Sequence, residues 1–274
     1  MTGTPDNVGV DVPLVRGPDA TLSSALAALE DGCCVLVTGD APDDAYRVAA
    51  SRYFGAADRR RQRLLALTQD DAAPRAWFPD GVDPDGDEEA ALVRLDGAVR
   101  DPAAVGNPSV DTASPTDAPD APDEPESTDA PESTDADRVD LVGGGEAGVG
   151  VDAIRAAVFH AVEELATDGD ERLGLRVGVY RADALCAAVG AEAARRLLRD
   201  VAAETRERGG MAHIHLPRPA SGDPRSDPVV DEFAKSLGDE LDVIVELRSR
   251  ETAPVPEERW HILGWGTTEW NPLR

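Results

Sequence analysis

Short apolar runs alternate along this chain with stretches of helical periodicity, and that alternation leaves few folds open. Cys33-Cys-Val-Leu-Val-Thr-Gly39 is apolar, rich in β-branched residues and ended by glycine, which is how a strand buried on both faces reads. Asp43 to Phe54 follows with helical character, then Leu64-Leu-Ala-Leu-Thr68 as a second buried strand and Ala90 to Asp96 as a weaker one. Gly150 to Asp168 places Ile154, Val158, Val162 and Leu165 on one helical face. Leu175 to Tyr180 is a strand, Ala182 to Val189 and Ala191 to Arg208 are helices, and Gly209-Gly210 ends the second of them. Met211 to Leu216 is a strand stopped by Pro217, and Asp227 to Leu237 is a helix. Leu241 to Arg248 and Arg259 to Leu263 alternate well enough to pair as an antiparallel edge hairpin. Strands separated by helices give an α/β fold, a mainly parallel sheet with helices on both faces and antiparallel strands at its C-terminal edge.

Two segments stand apart. Residues 1–20 are polar and precede a short helical pattern, Thr21 to Glu30, that Thr21 or Ser23 can cap. Residues 101–137 are mostly Asp, Pro, Ala, Ser, Thr and Glu, with almost no large apolar side chain and with a tandem hexapeptide, Pro125 to Ala130 and Pro131 to Ala136. Such a stretch cannot bury enough surface to offset the entropy of ordering it. It reads as a disordered acidic insertion dividing one domain into an N-terminal part, 1–100, and a C-terminal part, 138–274.

Charge narrows the environment. The chain has 274 residues and a formal net charge of −27, and its only lysine is Lys235. Residues 101–137 hold eleven acids and no Lys or Arg, so −16 remains on the rest. An acid coat of this density repels itself at low ionic strength and is screened at molar salt, where the Debye length is about 3 Å. The composition therefore reads as halophilic. There is no apolar run of about 18 residues, so no membrane span is expected. There is no basic-then-apolar leader at the start either, and a cytoplasmic location is the expectation. Three cysteines, Cys33, Cys34 and Cys186, cannot make a disulfide framework. No basic stripe or helix-turn-helix pattern argues for nucleic acid.

The first strand, its Gly39 turn and the following helix occupy the place of a phosphate loop in an α/β nucleotide-binding domain. The order of elements, with Leu175-Arg-Val-Gly-Val-Tyr-Arg-Ala-Asp-Ala-Leu185, Gly209 to Pro217 and the tail from Val243 to Trp265, resembles the RecA/KaiC-like ATPase superfamily and its haloarchaeal relatives. The resemblance implies a RecA-like sheet, and in working members ATP, Mg²⁺, a catalytic Glu and ring or filament assembly. Gly39 matches the first loop glycine. The next glycine, lysine and hydroxyl positions hold Asp44, Ala45 and Tyr46, with Asp40 and Asp43 adding carboxylates. The Walker B aspartate position holds Tyr180, and Asp183 lies three residues on. No catalytic residue, metal ligand set or cofactor follows, and ATP with Mg²⁺ is not expected.

The reading is a non-catalytic ATPase-like module of a halophilic archaeon, regulatory or signalling, acting on an unidentified protein partner or by self-association. One alternative is a nucleotide-binding enzyme with a non-standard phosphate loop using Arg47 or Arg52. A second is a DNA-associated regulator. Among other residues, His213 and His215 share one strand face and could hold a metal, though a structural role is favoured. Cys33 and Cys34 read as buried thiols, and Gly143 to Gly150 reads as a flexible joint. Asp242 and Glu246 read as surface ion-pair residues near Lys235. Trp260, Trp265 and Trp270 are either a tail folded over the sheet edge or a protein interface.

Overall fold

The computed structural model describes residue 29 and residues 32–68, 73–95, 150–167, 174–219, 223–253 and 255–273. The expected helix Thr21 to Glu30, the insertion 101–137 and the glycine run from Gly143 lie outside these residues, apart from Leu29 and Gly150.

Among the described residues, nine strands form one sheet. In chain order they are β1 Cys33–Asp40, β2 Arg63–Leu67, β3 Ala90–Arg94, β4 Arg176–Tyr180, β5 Met211–Pro217, β6 Leu241–Arg248, β7 Glu257–Ile262, β8 Gly266–Thr267 and β9 Asn271–Pro272. The spatial order is β3-β2-β4-β5-β1-β6-β7-β8, with β9 also paired to β7. The first six in that order are mutually parallel; β7 runs antiparallel to β6, and β8 and β9 antiparallel to β7. The fold class is the expected one. The helices are α1 Asp43–Phe54, α2 Val151–Thr167, α3 Ala182–Val189, α4 Ala191–Glu207 and α5 Pro228–Leu237.

The apolar strands are explained by burial on both faces. On one face Cys34, Leu36, Val177, Val179, Ala212 and Ile214 pack against α2, α3, α4 and α5. On the other Cys33, Val35, Val37, Leu65 and Leu67 pack against α1 and the 3₁₀ turn Pro74–Trp77. α2 buries Ile154, Val158, Val162 and Leu165, the face its periodicity predicts, and adds Ala157 and Ala161. α4 buries Ala194, Leu197, Leu198, Val201 and Ala202 with the same spacing. α5 starts on a Pro at its first position, with the Asp227 carboxylate accepting from the amides of Val229 and Val230.

The C-terminal tail closes the sheet. The expected hairpin strand Arg259 to Leu263 begins two residues earlier, at Glu257, because Glu257 pairs with Arg248 at the end of β6. Asp242 and Glu246 do form ion pairs, but not near Lys235, and that of Glu246 is buried instead of on the surface. Lys235 pairs with Asp231 on its own helix. Asp242 accepts from the Cys34 amide and the Arg206 guanidinium. Glu246 is 3 % exposed and lies under Arg259 and His261 on the adjacent strand.

Candidate functional site

In open α/β sheets, ligands gather beyond the carboxyl ends of the strands. There, a link of only two residues, Ala41-Pro42, joins β1 to α1. Gly39 has φ 127°, and a Cβ on it would sit 1.9 Å from the Leu247 carbonyl oxygen of β6. Its glycine is accounted for by the neighbouring strand. α1 begins at Asp43, so Asp44, Ala45 and Tyr46 all lie in its first turn.

Those positions face different ways. Asp44 is exposed and pairs with Arg47 at 2.5 Å. Ala45 and Tyr46 are buried. The Tyr46 hydroxyl donates back to the Gly39 carbonyl at 2.8 Å. Tyr180, at the end of β4, donates to Asp43 Oδ1 at 2.7 Å. The two tyrosine rings lie 6.2 Å apart. Trp77 stands 4.1 Å from the Tyr180 ring, and His215 stands 5.9 Å from it. Burial pushes both phenols up, so neither ionises near neutrality.

The structure therefore brings Gly39 and Tyr46 together with Tyr180, from two separate sequence segments, around an aromatic plug. Trp77 and His215 complete it and were not singled out as partners from sequence. Trp77 follows Pro74 in a loop without periodicity, and only its placement against β4 reveals it. The cations that could serve a nucleotide are engaged elsewhere. Arg47 lies 5.6 Å over the Trp77 ring centroid besides holding Asp44. Arg52 is tied to Glu258 at 2.7 Å. Asp183 is held by Arg181, also at 2.7 Å.

His213 and His215 do share a face, and both are fully buried beneath α1. His213 Nδ1 and His215 Nε2 are 2.8 Å apart. One proton lies between them, so one of the outer nitrogens must carry an N–H without a partner; His213 Nε2 and His215 Nδ1 both lack one. Burial lowers His215 to about 3. Burial, then His215 and Arg176, lowers His213 well below the usual imidazole value. Gly178 makes room for the pair, since a Cβ there would meet His213 Cε1 at 2.4 Å. No group of three or more metal-ligating side chains occurs among the described residues. Cys33 and Cys34 are buried free thiols, and burial raises both, Cys33 to about 11.

The three C-terminal tryptophans are all half-buried. Trp260 and Trp265 pack on the α1-side core. Trp270 is stacked on by two guanidinium groups, Arg248 at 3.6 Å and Arg259 at 4.6 Å from its ring centroid. One cluster escaped the sequence reading altogether. Asp58-Arg-Arg-Arg-Gln-Arg63 places four arginines in five positions of a strongly acidic chain. That local contrast is the signal that would have exposed it.

None of the curated proteins matches the chain. Among solved structures, a KaiC-like protein of the hyperthermophilic archaeon Pyrococcus horikoshii is similar with a TM-score of 0.48 and 13 % identity, over 88 % of this chain and 84 % of that one. That likeness gives no residue of this chain a role. The sequence match is to a family described as "Family of unknown function (DUF7504)" and runs over residues 32–247, so this chain belongs to that family.

Proposed function

We propose that this chain is a RecA/KaiC-like module without nucleotide chemistry, working through contacts with another protein or with itself. The observation that carries this is the plug formed by Tyr46 and Tyr180 between the first turn of α1 and the end of β4. A triphosphate with Mg²⁺ needs an open backbone cradle, a lysine for phosphate charge and a hydroxyl for the metal. At the corresponding place this chain offers a buried alanine, a buried tyrosine bonded to its own turn, and the carboxylates of Asp43 and Asp44. The amino end of α1 favours anions through its dipole, and two acids in its first turn already use that field. In this reading the ancestral site has become a packing joint that holds α1 rigidly to the sheet, and the half-buried tryptophans of the C-terminal edge are the contact surface.

Equilibrium dialysis with ATP in molar KCl, with and without Mg²⁺, tests this. The expected result is no Mg²⁺-dependent binding. A Mg²⁺-dependent dissociation constant below about 100 μM, some 5 kcal/mol of affinity, overturns it.

A further inference from the structure

The opposite end of the sheet carries a cluster of arginines that packing alone does not call for. Arg63 opens β2 and Arg176 opens β4, and the two stand directly opposite each other in the ladder. Their side chains thus share the α1 face of the sheet. The Arg63 guanidinium is spent on backbone. It donates to the carbonyls of Phe54, Ala56, Arg59 and Arg61 at 3.2, 3.0, 2.9 and 3.0 Å. Those bonds clamp the loop from Gly55 to Gln62 into one shape and present Arg59, Arg60 and Arg61 from it. Arg61 lies back against Gly55, where a Cβ would meet its Nε at 3.0 Å.

What the cluster lacks is counter-charge. Arg60 pairs with Glu89 at 2.6 Å. Arg59, Arg61, Arg63 and Arg176 have no carboxylate within 4.0 Å among the described residues. The acids in the neighbourhood are Asp58 on the loop itself and Asp87 to Glu89 on the turn before β3. Asp87 already accepts from the Asp83 amide. Arg176 is held by a single carbonyl, that of Leu175. Burial and then Arg61 depress both Arg63 and Arg176, the latter to about 10, which places these guanidinium groups within electrostatic reach of one another. In a chain of net charge −27, these five arginines against Asp58, Asp87, Glu88 and Glu89 leave a local excess of positive charge.

We propose that Arg61, presented by the loop that Arg63 clamps, and Arg176, at the start of β4, bind a small ligand bearing two or more phosphate groups. Guanidinium forks match phosphate oxygens two at a time, and two neighbouring forks suit a diphosphate better than a single carboxylate. A nucleic-acid backbone is the less favoured occupant. The spot is short, and the rest of the surface is acidic and repels a long polyanion. The site lies at the amino ends of β2 and β4, away from Tyr46 and Tyr180, and it needs no metal.

The test uses the full chain at the lowest KCl that keeps it folded, with EDTA present, titrated with inorganic pyrophosphate by calorimetry. Binding in the micromolar to low millimolar range is expected. Arg61→Gln and Arg176→Gln should each weaken it by about tenfold, the size of one charge-assisted contact. Arg225→Gln, on the far side of the sheet, should leave it unchanged. Circular dichroism of each variant confirms folding, and Arg61, which bonds no other side chain among the described residues, is the substitution least able to disturb it. No pyrophosphate binding up to about 10 mM overturns the proposal. So does equal binding by the Arg61→Gln variant, and so does a short single-stranded DNA that binds more tightly than pyrophosphate and loses that binding with Arg61→Gln. Because the assay excludes Mg²⁺, its outcome is independent of the ATP test.

Discussion

His213 and His215 put two imidazoles into the core with one hydrogen bond between them. Both are neutral in the folded chain because burial penalises their charged forms. The unfolded chain takes up protons at an ordinary histidine value of 6.5, so it binds more protons than the native state below that pH. A depressed native value means the contribution is fully present above pH 6.5 and is lost as the pH falls from there toward about 3. By pH 5 each imidazole should have cost about 2 kcal/mol of stability. Denaturant unfolding at fixed high salt, compared between pH 7 and pH 5, measures this. Glu246 adds acid sensitivity only lower down. Burial pushes its carboxyl up, but the bonds from His261 and Arg259 outweigh that and hold it below the usual range. A stability that stays flat to pH 5 would contradict the buried, neutral pair.

Among the elements, the hairpin of β6 and β7 is the place where charge does structural work. Glu246 lies opposite Arg259 in the ladder, and the Trp270 ring of the tail stacks on Arg248 and Arg259. Arg259→Ala should leave a buried carboxylate with only His261 and cost about 3 kcal/mol, read as a shift in the denaturation midpoint. Trp270→Ala, which removes the stacking surface and leaves the ion pair, should cost about 1 kcal/mol. If the order of these two were reversed, the hairpin would be held by packing and not by its ion pair.

The same hairpin shows how far the sequence could be read. Its strands were legible because alternation and apolar runs report burial directly, and the helix faces of α2 and α4 were legible for the same reason. That Glu246 is buried was not, because its partners Arg259 and His261 sit on a strand whose register no local pattern encodes. At the candidate site, Gly39 was visible as a match to the phosphate-loop pattern, Tyr46 as a departure from it and Tyr180 as a departure from the Walker B pattern. Their convergence with Trp77 and His215 depends on packing between distant segments, and the four arginines of the loop are submerged in a net charge of −27.

For the whole molecule, the dense negative charge makes salt a part of stability. Lowering ionic strength from about 1 M to 0.01 M lengthens the Debye screen from roughly 3 to 30 Å and lets the acid coat repel itself. The thermal midpoint should therefore fall steadily on dialysis out of KCl, and an unchanged midpoint would show that the acids are spaced widely enough to ignore one another.

The strand order has a consequence for how the chain is made. β1 leaves the ribosome first, yet its two sheet neighbours are β5 and β6, encoded in the last third of the chain. β2 and β3 can pair as they emerge, but β1, apolar on both faces, must wait through most of synthesis with its edges bare. Its late closure should make the emerging chain a client for holding chaperones. A ribosome-stalled intermediate ending before Met211 should remain protease-sensitive at Cys33 to Asp40 even where residues 63–94 have become protected.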